Sequence, residues 1–293
     1  MASLLFYQSS GTHNTIAATL CQNRAEICPR EQDIYNKYKT LSWHYHQASE
    51  TFMPRFYCPL PLSIGAQVDL PETTAHHVFV LRLNLGDSIQ LFNGEGGAYV
   101  ASITQVSKKQ VSAEVKVFLP EEVELPFSLT LAQALPEGSK MDWIIEKAIE
   151  LGASTIQPLS AQRCVVKLSA ERAEKKMAHW QGVIESATEQ CGRNRLANLG
   201  NLIDVQKWLT QQDMHKRILL SPRAEHSLAD WSRHQAPQAV TLMIGPEGGF
   251  SEVEEQLAIR QGALAMSIGP RVLRTETAGL AAITILNAAW GGM

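Results

Sequence analysis

The 293-residue sequence has no long hydrophobic run and no excess of positive charge. Every apolar stretch is shorter than the roughly 18 residues that a membrane-spanning helix requires. The N-terminus lacks a basic segment followed by an apolar core, so no secretory signal is predicted. The formal net charge is −3, which excludes a global basic field, and any nucleic-acid site must be a local patch. No membrane association is expected.

Cysteine is scarce, and no two cysteines form a CxxC pair. This argues against both a zinc site and a disulfide framework. We therefore expect no metal, and reduced thiols in a cytoplasmic protein. The GxGxxG and GK[ST] phosphate-binding motifs are also missing, which excludes a typical dinucleotide or Walker-type site. The five cysteines are Cys21, Cys28, Cys58, Cys164 and Cys191.

The first half of the chain contains two different kinds of segment. Residues 1–52 are polar and mixed, and the "MPRFYCP" that follows at Met53 reads like the start of a protein. We therefore predict that residues 1–52 are a poorly ordered extension. Residues 53–122 alternate apolar and polar positions from "HHVFVLRLNL" onward, with glycine punctuation. This pattern predicts short strands forming a small β-barrel.

Strands and helices alternate after an acidic, proline-bracketed linker, "LPEEVELP". Amphipathic segments such as "KMDWIIEKAIELG" lie between apolar runs such as "AVTLMIGP". Residues 127–293 are therefore predicted to form an α/β domain with a largely parallel sheet covered by helices. In the helix after the second glycine-proline loop, Ser251 and Glu254 have capping-box spacing, and Gly262 is its predicted stop.

Three of the predicted strands end in similar loops, "LLSPRAE", "MIGPEGG" and "SIGPRVLRTET". Because ligands bind beyond the carboxyl ends of the strands in an open α/β sheet, these loops are predicted to line one crevice. Gly248 and Gly249 would let the main chain approach a ligand closely. Glu247 disfavours a phosphate and suits a cationic or neutral ligand. For one loop alone a tight turn is the simpler interpretation, but three matching loops favour a binding site.

The segments "IGPEGGFS" and "IGPRVLRTETA" resemble the signature of the ribosomal RNA small subunit methyltransferase E family, of the SPOUT class. "MPRFYCP", "EKAIELG" and "EQCGRNR" also match that family's pattern, so the resemblance runs from Met53 to the C-terminus. It implies an α/β methyltransferase domain with a C-terminal trefoil knot, and an N-terminal PUA-like β-barrel that helps hold RNA. It further implies S-adenosylmethionine as cofactor and a homodimer.

The same resemblance implies the reaction and the cofactor-binding loops. The expected reaction is methylation of N3 of one uridine in 16S ribosomal RNA, and the expected substrate is the assembled small subunit. Backbone groups of the three loops would hold the adenine while apolar side chains pack against its faces. The residues expected at the cofactor are Leu220, Ser221, Pro222, Ile244, Gly245, Glu247, Gly248, Gly249, Ile268, Gly269, Pro270 and Leu273.

Three residues after the last loop are catalytic candidates. Uridine N3 is a weak nucleophile while it keeps its proton, so that proton must be removed or the resulting anion stabilised. Arg274 and Arg271 are candidates for electrostatic stabilisation. Glu276 is a candidate base, and it is an equally good candidate for capping the last helix.

Five basic residues are candidates for RNA contact: Arg55, Arg163, Lys167, Arg193 and Arg195. The segment "EQCGRNR" ends a predicted helix, where Arg193 and Arg195 could interact favourably with the helix dipole. The family resemblance favours contact with RNA instead. The charges that follow Lys167 are interspersed with glutamates and also suit a solvated helix face.

Three other functions remain open from the sequence. One is a related enzyme that methylates a ribose 2′-hydroxyl. Another is a non-catalytic RNA-binding assembly factor, which would not need intact cofactor loops. The third is a phosphate-binding α/β protein, against which the missing lysine and Glu247 argue.

Overall fold

The computed structural model describes residues 53–107, 110–211 and 214–293, and these belong to one compact unit that begins at Met53. The predicted extension at residues 1–52 lies outside the described residues. None of the described helices is long and apolar enough to cross a membrane. The predicted domain limits, 53–122 and 127–293, remain predictions.

The first part of the described chain forms a five-stranded sheet in the order β1-β3-β4-β5-β2. The pairing of β1 with β3 is parallel, and the other pairings are antiparallel. Alternate residues of the strands, such as Ile89, Leu91 and Val115, are fully buried in a core of their own. The strands and the one helix of this part are β1 (Arg55–Tyr57), β2 (Gln67–Asp69), α1 (Glu72–Val80), β3 (Ser88–Phe92), β4 (Ala98–Val106) and β5 (Val111–Leu119).

Helix α1 corrects one expectation from the sequence. Strand-like alternation was predicted from His76, but residues 72–80 are helical. Thr74 and Val78, four residues apart, are the buried residues of this helix. Pro71 precedes its first turn, where a missing N–H costs nothing. The helical spacing of two inward side chains was masked by exposed apolar neighbours, Phe79 and Val80.

The second part contains a seven-stranded sheet in which every strand pairing is parallel. The strand order is β12-β10-β11-β6-β7-β8, and β9 pairs with β7. The predicted α/β alternation is confirmed by this sheet. The strands are β6 (Leu129–Ala134), β7 (Thr155–Ser160), β8 (Asn198–Leu199), β9 (Ile203–Asp204), β10 (Lys216–Leu220), β11 (Val240–Ile244) and β12 (Leu264–Met266).

The helices of the second part begin and end at residues with suitable capping chemistry. The Ser251 hydroxyl and the Glu254 carboxylate form the predicted capping box of α6. Helix α3 begins after Ser169 and ends at Gly192, whose φ is 84°, a conformation that favours glycine. The helices are α2 (Lys140–Glu150), α3 (Ala170–Cys191), α4 (Val205–Leu209), α5 (Leu228–Arg233), α6 (Glu252–Arg260) and α7 (Thr275–Trp290).

The sheet order determines which loops lie together. Strand β10 lies between β12 and β11, so the carboxyl ends of these three strands are adjacent. The loops after Leu220, Ile244 and Met266 therefore leave the same edge of the sheet. The trefoil knot implied by the resemblance remains a prediction.

Candidate functional site

The loops that follow β10, β11 and β12 surround a cavity of about 320 Å³. Eleven of the twelve residues predicted from the sequence to hold a cofactor line it, and Arg271 lines it as well. The predicted residues in its wall are Leu220, Ser221, Pro222, Ile244, Gly245, Glu247, Gly248, Gly249, Ile268, Gly269 and Leu273. The crevice expected between the three proline loops is thus present in the structure.

Among the predicted cofactor-binding and catalytic residues, three lie outside the cavity wall: Pro270, Arg274 and Glu276. The Arg274 side chain is 83% exposed, and its Nη1 lies 4.0 Å from Oε1 of Glu276. The Glu276 side chain is only 16% exposed, and its buried Oε2 has no hydrogen-bond partner among the described residues. Glu276 also occupies the first turn of α7, so its two predicted roles both remain compatible with its position.

The loop after β11, residues 245–250, is tightly folded against itself; we call it the glycine loop. A Cβ on Gly245 would lie 2.7 Å from the Phe250 nitrogen, a contact that only glycine avoids. Gly249 has a φ of 67°, in the left-handed region that glycine adopts readily. These two positions explain why one turn carries several glycines.

A buried polar relay joins the glycine loop to α7. The Thr275 hydroxyl donates to the Gly245 carbonyl at 2.6 Å and accepts from Gln133 Nε2 at 2.9 Å. Thr275 is buried, and Gln133 is fully buried at the end of β6. Sequence reasoning missed Gln133, although an amide in the mostly apolar run "LTLAQAL" was a signal for a buried hydrogen bond.

Glu247 links the glycine loop to the segment after β6. Its Oε1 accepts from Lys140 Nζ at 2.5 Å and from the Glu137 N–H at 3.1 Å. Partial burial opposes ionisation of Glu247, but these hydrogen bonds prevail and lower its pKa. The hydrogen bond to Glu247 raises the pKa of Lys140. The pair is therefore ionised at neutral pH, and Lys140 is a second residue that sequence reasoning missed.

Arg163 lies at the cavity. Its Nη1 donates to the carbonyls of Gly248 at 2.9 Å and Phe250 at 3.2 Å, and its side chain belongs to the cavity wall. Arg163 was expected to contact the RNA backbone together with Lys167, which is exposed on the loop before α3. The structure thus gives Arg163 a contact with the glycine loop that the sequence did not predict.

The other three predicted RNA contacts lie at a joint between the first sheet, the linker and the end of α3. Arg55 Nη2 donates to the Arg193 carbonyl and to Oδ1 of Asn194, the latter at 2.7 Å. The Asn194 amide donates to the Glu121 carbonyl at 2.7 Å. Nε of Arg195, whose side chain is 55% exposed, lies 3.4 Å from Glu122. The linker is thus held by residues of "EQCGRNR".

Arg193 differs most from its expected role. Its side chain is 3% exposed and pairs with Glu124, while its Nη1 donates to the carbonyls of Ile149 and Ala153. A guanidinium enclosed in this way presents no surface to an RNA phosphate. Burial is the physical reason for the correction, and Arg193 has a structural role at the joint.

Metal ligation finds no support in the part of the chain that the structure describes. No group of three or more His, Cys, Asp or Glu side chains there has a geometry that could hold a metal ion. Cys58 and Cys164 are buried and free, and burial raises the pKa of both thiols.

Several known proteins are similar to this chain. A family model described as an RNA methyltransferase domain matches residues 123–287, and one described as an RNA methyltransferase PUA domain matches residues 70–116. The ribosomal RNA small subunit methyltransferase E of Bacillus subtilis is 35% identical over 223 residues, 74% of this chain and 87% of that protein. That of Buchnera aphidicola subsp. Schizaphis graminum is 30% identical over 243 residues, 82% and 98% of the two chains.

A solved structure of a methyltransferase E protein is also similar to this chain. The Neisseria gonorrhoeae ribosomal RNA small subunit methyltransferase E, crystallised with S-adenosyl methionine, is 40% identical, with a TM-score of 0.77 over 82% of this chain and 98% of that one. The two family models define the class, an RNA methyltransferase with a PUA domain. Identity and coverage define the family: the chain belongs to the ribosomal RNA small subunit methyltransferase E family. The resemblance and the PUA-like assignment are confirmed.

Proposed function

We propose that this protein transfers a methyl group from S-adenosylmethionine to N3 of a specific uridine in 16S ribosomal RNA. The observation that carries the proposal is the meeting of three loops, from three adjacent parallel strands, around one cavity. The family supports the same activity, because its members are named as methyltransferases of small-subunit ribosomal RNA.

The cavity has the chemistry that S-adenosylmethionine requires. Its volume of about 320 Å³ lies within the range of small-molecule sites, and such sites combine apolar walls with a few polar groups. Leu220, Ile244 and Ile268 supply apolar surface for the adenine. Glu247 places a carboxylate in the wall, which suits a cationic ligand. When bound, the cofactor supplies an electrophilic sulfonium methyl group.

The residues beside the cavity have separate roles in this proposal. The loops hold the cofactor and the base in line, since positioning carries much of a displacement reaction. Arg271, in the cavity wall, and Arg274, just outside it, stabilise negative charge that develops on the uracil oxygens. Glu276, whose side chain is 16% exposed, accepts the N3 proton; its Oε2 has no hydrogen-bond partner among the described residues.

We further propose that the enzyme acts as a cytoplasmic homodimer on the assembled small subunit. Helix α7 supports a dimer contact because Ala281, Ile285 and Ala288 follow one another at helical spacing and keep part of their surface exposed. Their opposite face, with Ile283, Leu286 and Trp290, is buried in the subunit. An assembled particle offers a prefolded RNA shape, which a chain of net charge −3 needs more than a strongly basic protein does.

The test is mass spectrometry of digested 16S ribosomal RNA from a strain without this protein, complemented with the wild type or with Arg274→Ala. Loss of 3-methyluridine, and its return with the wild type alone, is the expected result. If the variant also restores the mark, Arg274 is dispensable, and Arg271 and Glu276 are the residues to substitute next. If 3-methyluridine never depended on the protein, the proposal is wrong, and a missing ribose 2′-O-methyl mark would identify the alternative enzyme.

A further inference from the structure

Two cations hold the glycine loop on the side away from the other cavity loops. The neighbours of β11 in the sheet are β10 on one side and β6 on the other, with β7 beyond β6. The loops after β10 and β12 lie on one side of the glycine loop. Lys140, which follows β6, and Arg163, which follows β7, lie on its other side, and Arg163 also reaches the cavity wall.

Lys140 stands at an electrostatically unfavourable position for its own helix. It is the first residue of α2, where the positive end of the helix dipole disfavours a cation. The unfavourable charge is offset by Glu247, whose Oε1 lies 2.5 Å from Lys140 Nζ. This pair joins the start of α2 to the middle of the glycine loop, and both side chains are one-third exposed.

Arg163 holds the other half of the same loop. One guanidinium nitrogen bridges the carbonyls of Gly248 and Phe250. A neighbouring bond supports this arrangement, because the Gln162 N–H donates to Glu254 of α6 at 2.7 Å. The segment after β7 thus contacts the glycine loop and the helix that follows it.

A loop with three glycines is costly to order, since glycine loses more conformational freedom than any other residue. Contacts from Lys140 and Arg163 at two places in the loop reduce the conformational entropy that the loop still has to lose when a ligand binds. We propose that Lys140 and Arg163 are positioning residues that preorganise the glycine loop for S-adenosylmethionine, Lys140 through Glu247 and Arg163 through main-chain carbonyls. This inference rests on the proposed cofactor site, and it replaces RNA backbone contact as the role of Arg163.

The test measures S-adenosylmethionine binding to the full chain by titration calorimetry without RNA. Lys140→Gln and Arg163→Gln are each expected to weaken binding about tenfold, because the glycine loop would then adopt its binding-competent conformation in a smaller fraction of molecules. Arg163→Lys, which keeps one cationic nitrogen as a donor group, should recover part of the loss. The matched controls are Lys147→Gln and Arg233→Gln, whose side chains form ion pairs elsewhere and which should bind within about twofold of the wild type.

A second comparison tests whether Lys140 acts through Glu247. The loss from Lys140→Gln should disappear in a Glu247→Gln background, because the two side chains form one interaction. Steady-state kinetics add a further readout: KM for S-adenosylmethionine should rise in both single variants while KM for the small subunit stays unchanged.

Each of the following results overturns the inference. Unchanged cofactor affinity in Arg163→Gln, with a raised KM for the small subunit, would return Arg163 to RNA contact. Equal losses from Lys140→Gln in the wild-type and Glu247→Gln backgrounds would show that Lys140 does not act through Glu247. A wild type that methylates the subunit while its variants bind the cofactor normally refutes only this inference. A wild type that does not bind the cofactor refutes the proposed function as well.

Discussion

The guanidinium of Arg193 donates to both carboxylate oxygens of Glu124, from Nε at 2.9 Å and from Nη2 at 2.6 Å. Arg193 follows α3, and Glu124 belongs to the linker between the two sheets. The pair therefore connects the methyltransferase domain to the segment that leads out of the PUA-like part. Two-pronged contacts of this kind fix orientation as well as adding energy.

Removing this cation should destabilise the fold without affecting RNA binding by the folded protein. Arg193→Met leaves the Glu124 carboxylate and two carbonyls without their donor, and we expect a loss of about 3–5 kcal/mol in the free energy of unfolding. Urea unfolding at neutral pH measures it. In the control, Arg195→Met, the exposed ion pair should contribute less than about 1 kcal/mol. A variant as stable as the wild type, with a higher KM for the small subunit, would restore the RNA role of Arg193.

A second contact at the same joint gives a prediction with a definite pH dependence. Glu189 Oε1 accepts from the Tyr57 N–H at 2.7 Å. Burial raises the pKa of Glu189 above its ordinary value of 4.5, although the hydrogen bond from Tyr57 partly opposes this shift. The charged form is thus penalised in the folded state, and the penalty appears as pH rises from below 4.5 through the raised pKa.

Glu189→Gln keeps an acceptor for Tyr57 and cannot ionise. We expect the stability of Glu189→Gln relative to the wild type to increase as pH rises from 4.5 to the raised pKa of Glu189. Above that pKa the difference should stay constant. Glu189→Ala removes the acceptor and should be about 1–3 kcal/mol less stable than Glu189→Gln at every pH, the penalty for leaving the Tyr57 N–H without its acceptor. Thermal unfolding between pH 4 and pH 8 compares the three proteins. A pH-independent difference between the glutamine variant and the wild type would contradict the prediction.

Two glycines of the glycine loop should respond differently to alanine. In Gly245→Ala the new Cβ would meet the Phe250 nitrogen at 2.7 Å, whereas in Gly248→Ala it would meet the Arg163 side chain at 3.5 Å, an ordinary contact. We expect Gly245→Ala to lose about 1–3 kcal/mol of stability and Gly248→Ala to fold like the wild type. Chemical unfolding with calorimetric titration of the cofactor measures both. Equal stability of the two variants would mean that the loop can shift to accommodate a Cβ.

The three cavity loops could be predicted from the sequence because each carries its own local signal. An apolar run followed by Ser-Pro or Gly-Pro marks the end of a buried strand, and parallel strands end at one edge of a sheet. The capping box of Ser251 and Glu254 was equally local. Helix α1 was not predictable in this way, because exposed Phe79 and Val80 interrupt the pattern of its inward side.

Residue roles were less predictable, because they depend on contacts between distant parts of the chain. Arg163 and Gly248 are 85 positions apart, and Lys140 and Glu247 are 107 positions apart. The sequence does not show whether the partner of a Lys or Arg side chain is a phosphate, a carboxylate or a carbonyl group. The family resemblance assigned Arg193 to RNA, and the burial of its side chain became visible only in the structure.

The two candidate roles of Glu276 make opposite predictions for one variant. Glu276→Gln cannot accept a proton but keeps its shape, so loss of a general base should lower kcat about 10²-fold or more. A carboxylate that only interacts with the helix dipole contributes about 0.3–1 kcal/mol to stability, and its loss would leave kcat unchanged.

Single-turnover methylation of purified small subunits, combined with thermal unfolding, measures both quantities. We expect the large loss of rate, because Glu276 Oε2 is buried without a partner among the described residues. A buried carboxylate oxygen with no donor costs free energy, and catalysis is a reason for a fold to retain it. Unchanged kcat with slightly reduced stability would instead assign Glu276 to the helix, and the N3 proton would then have to leave by another route.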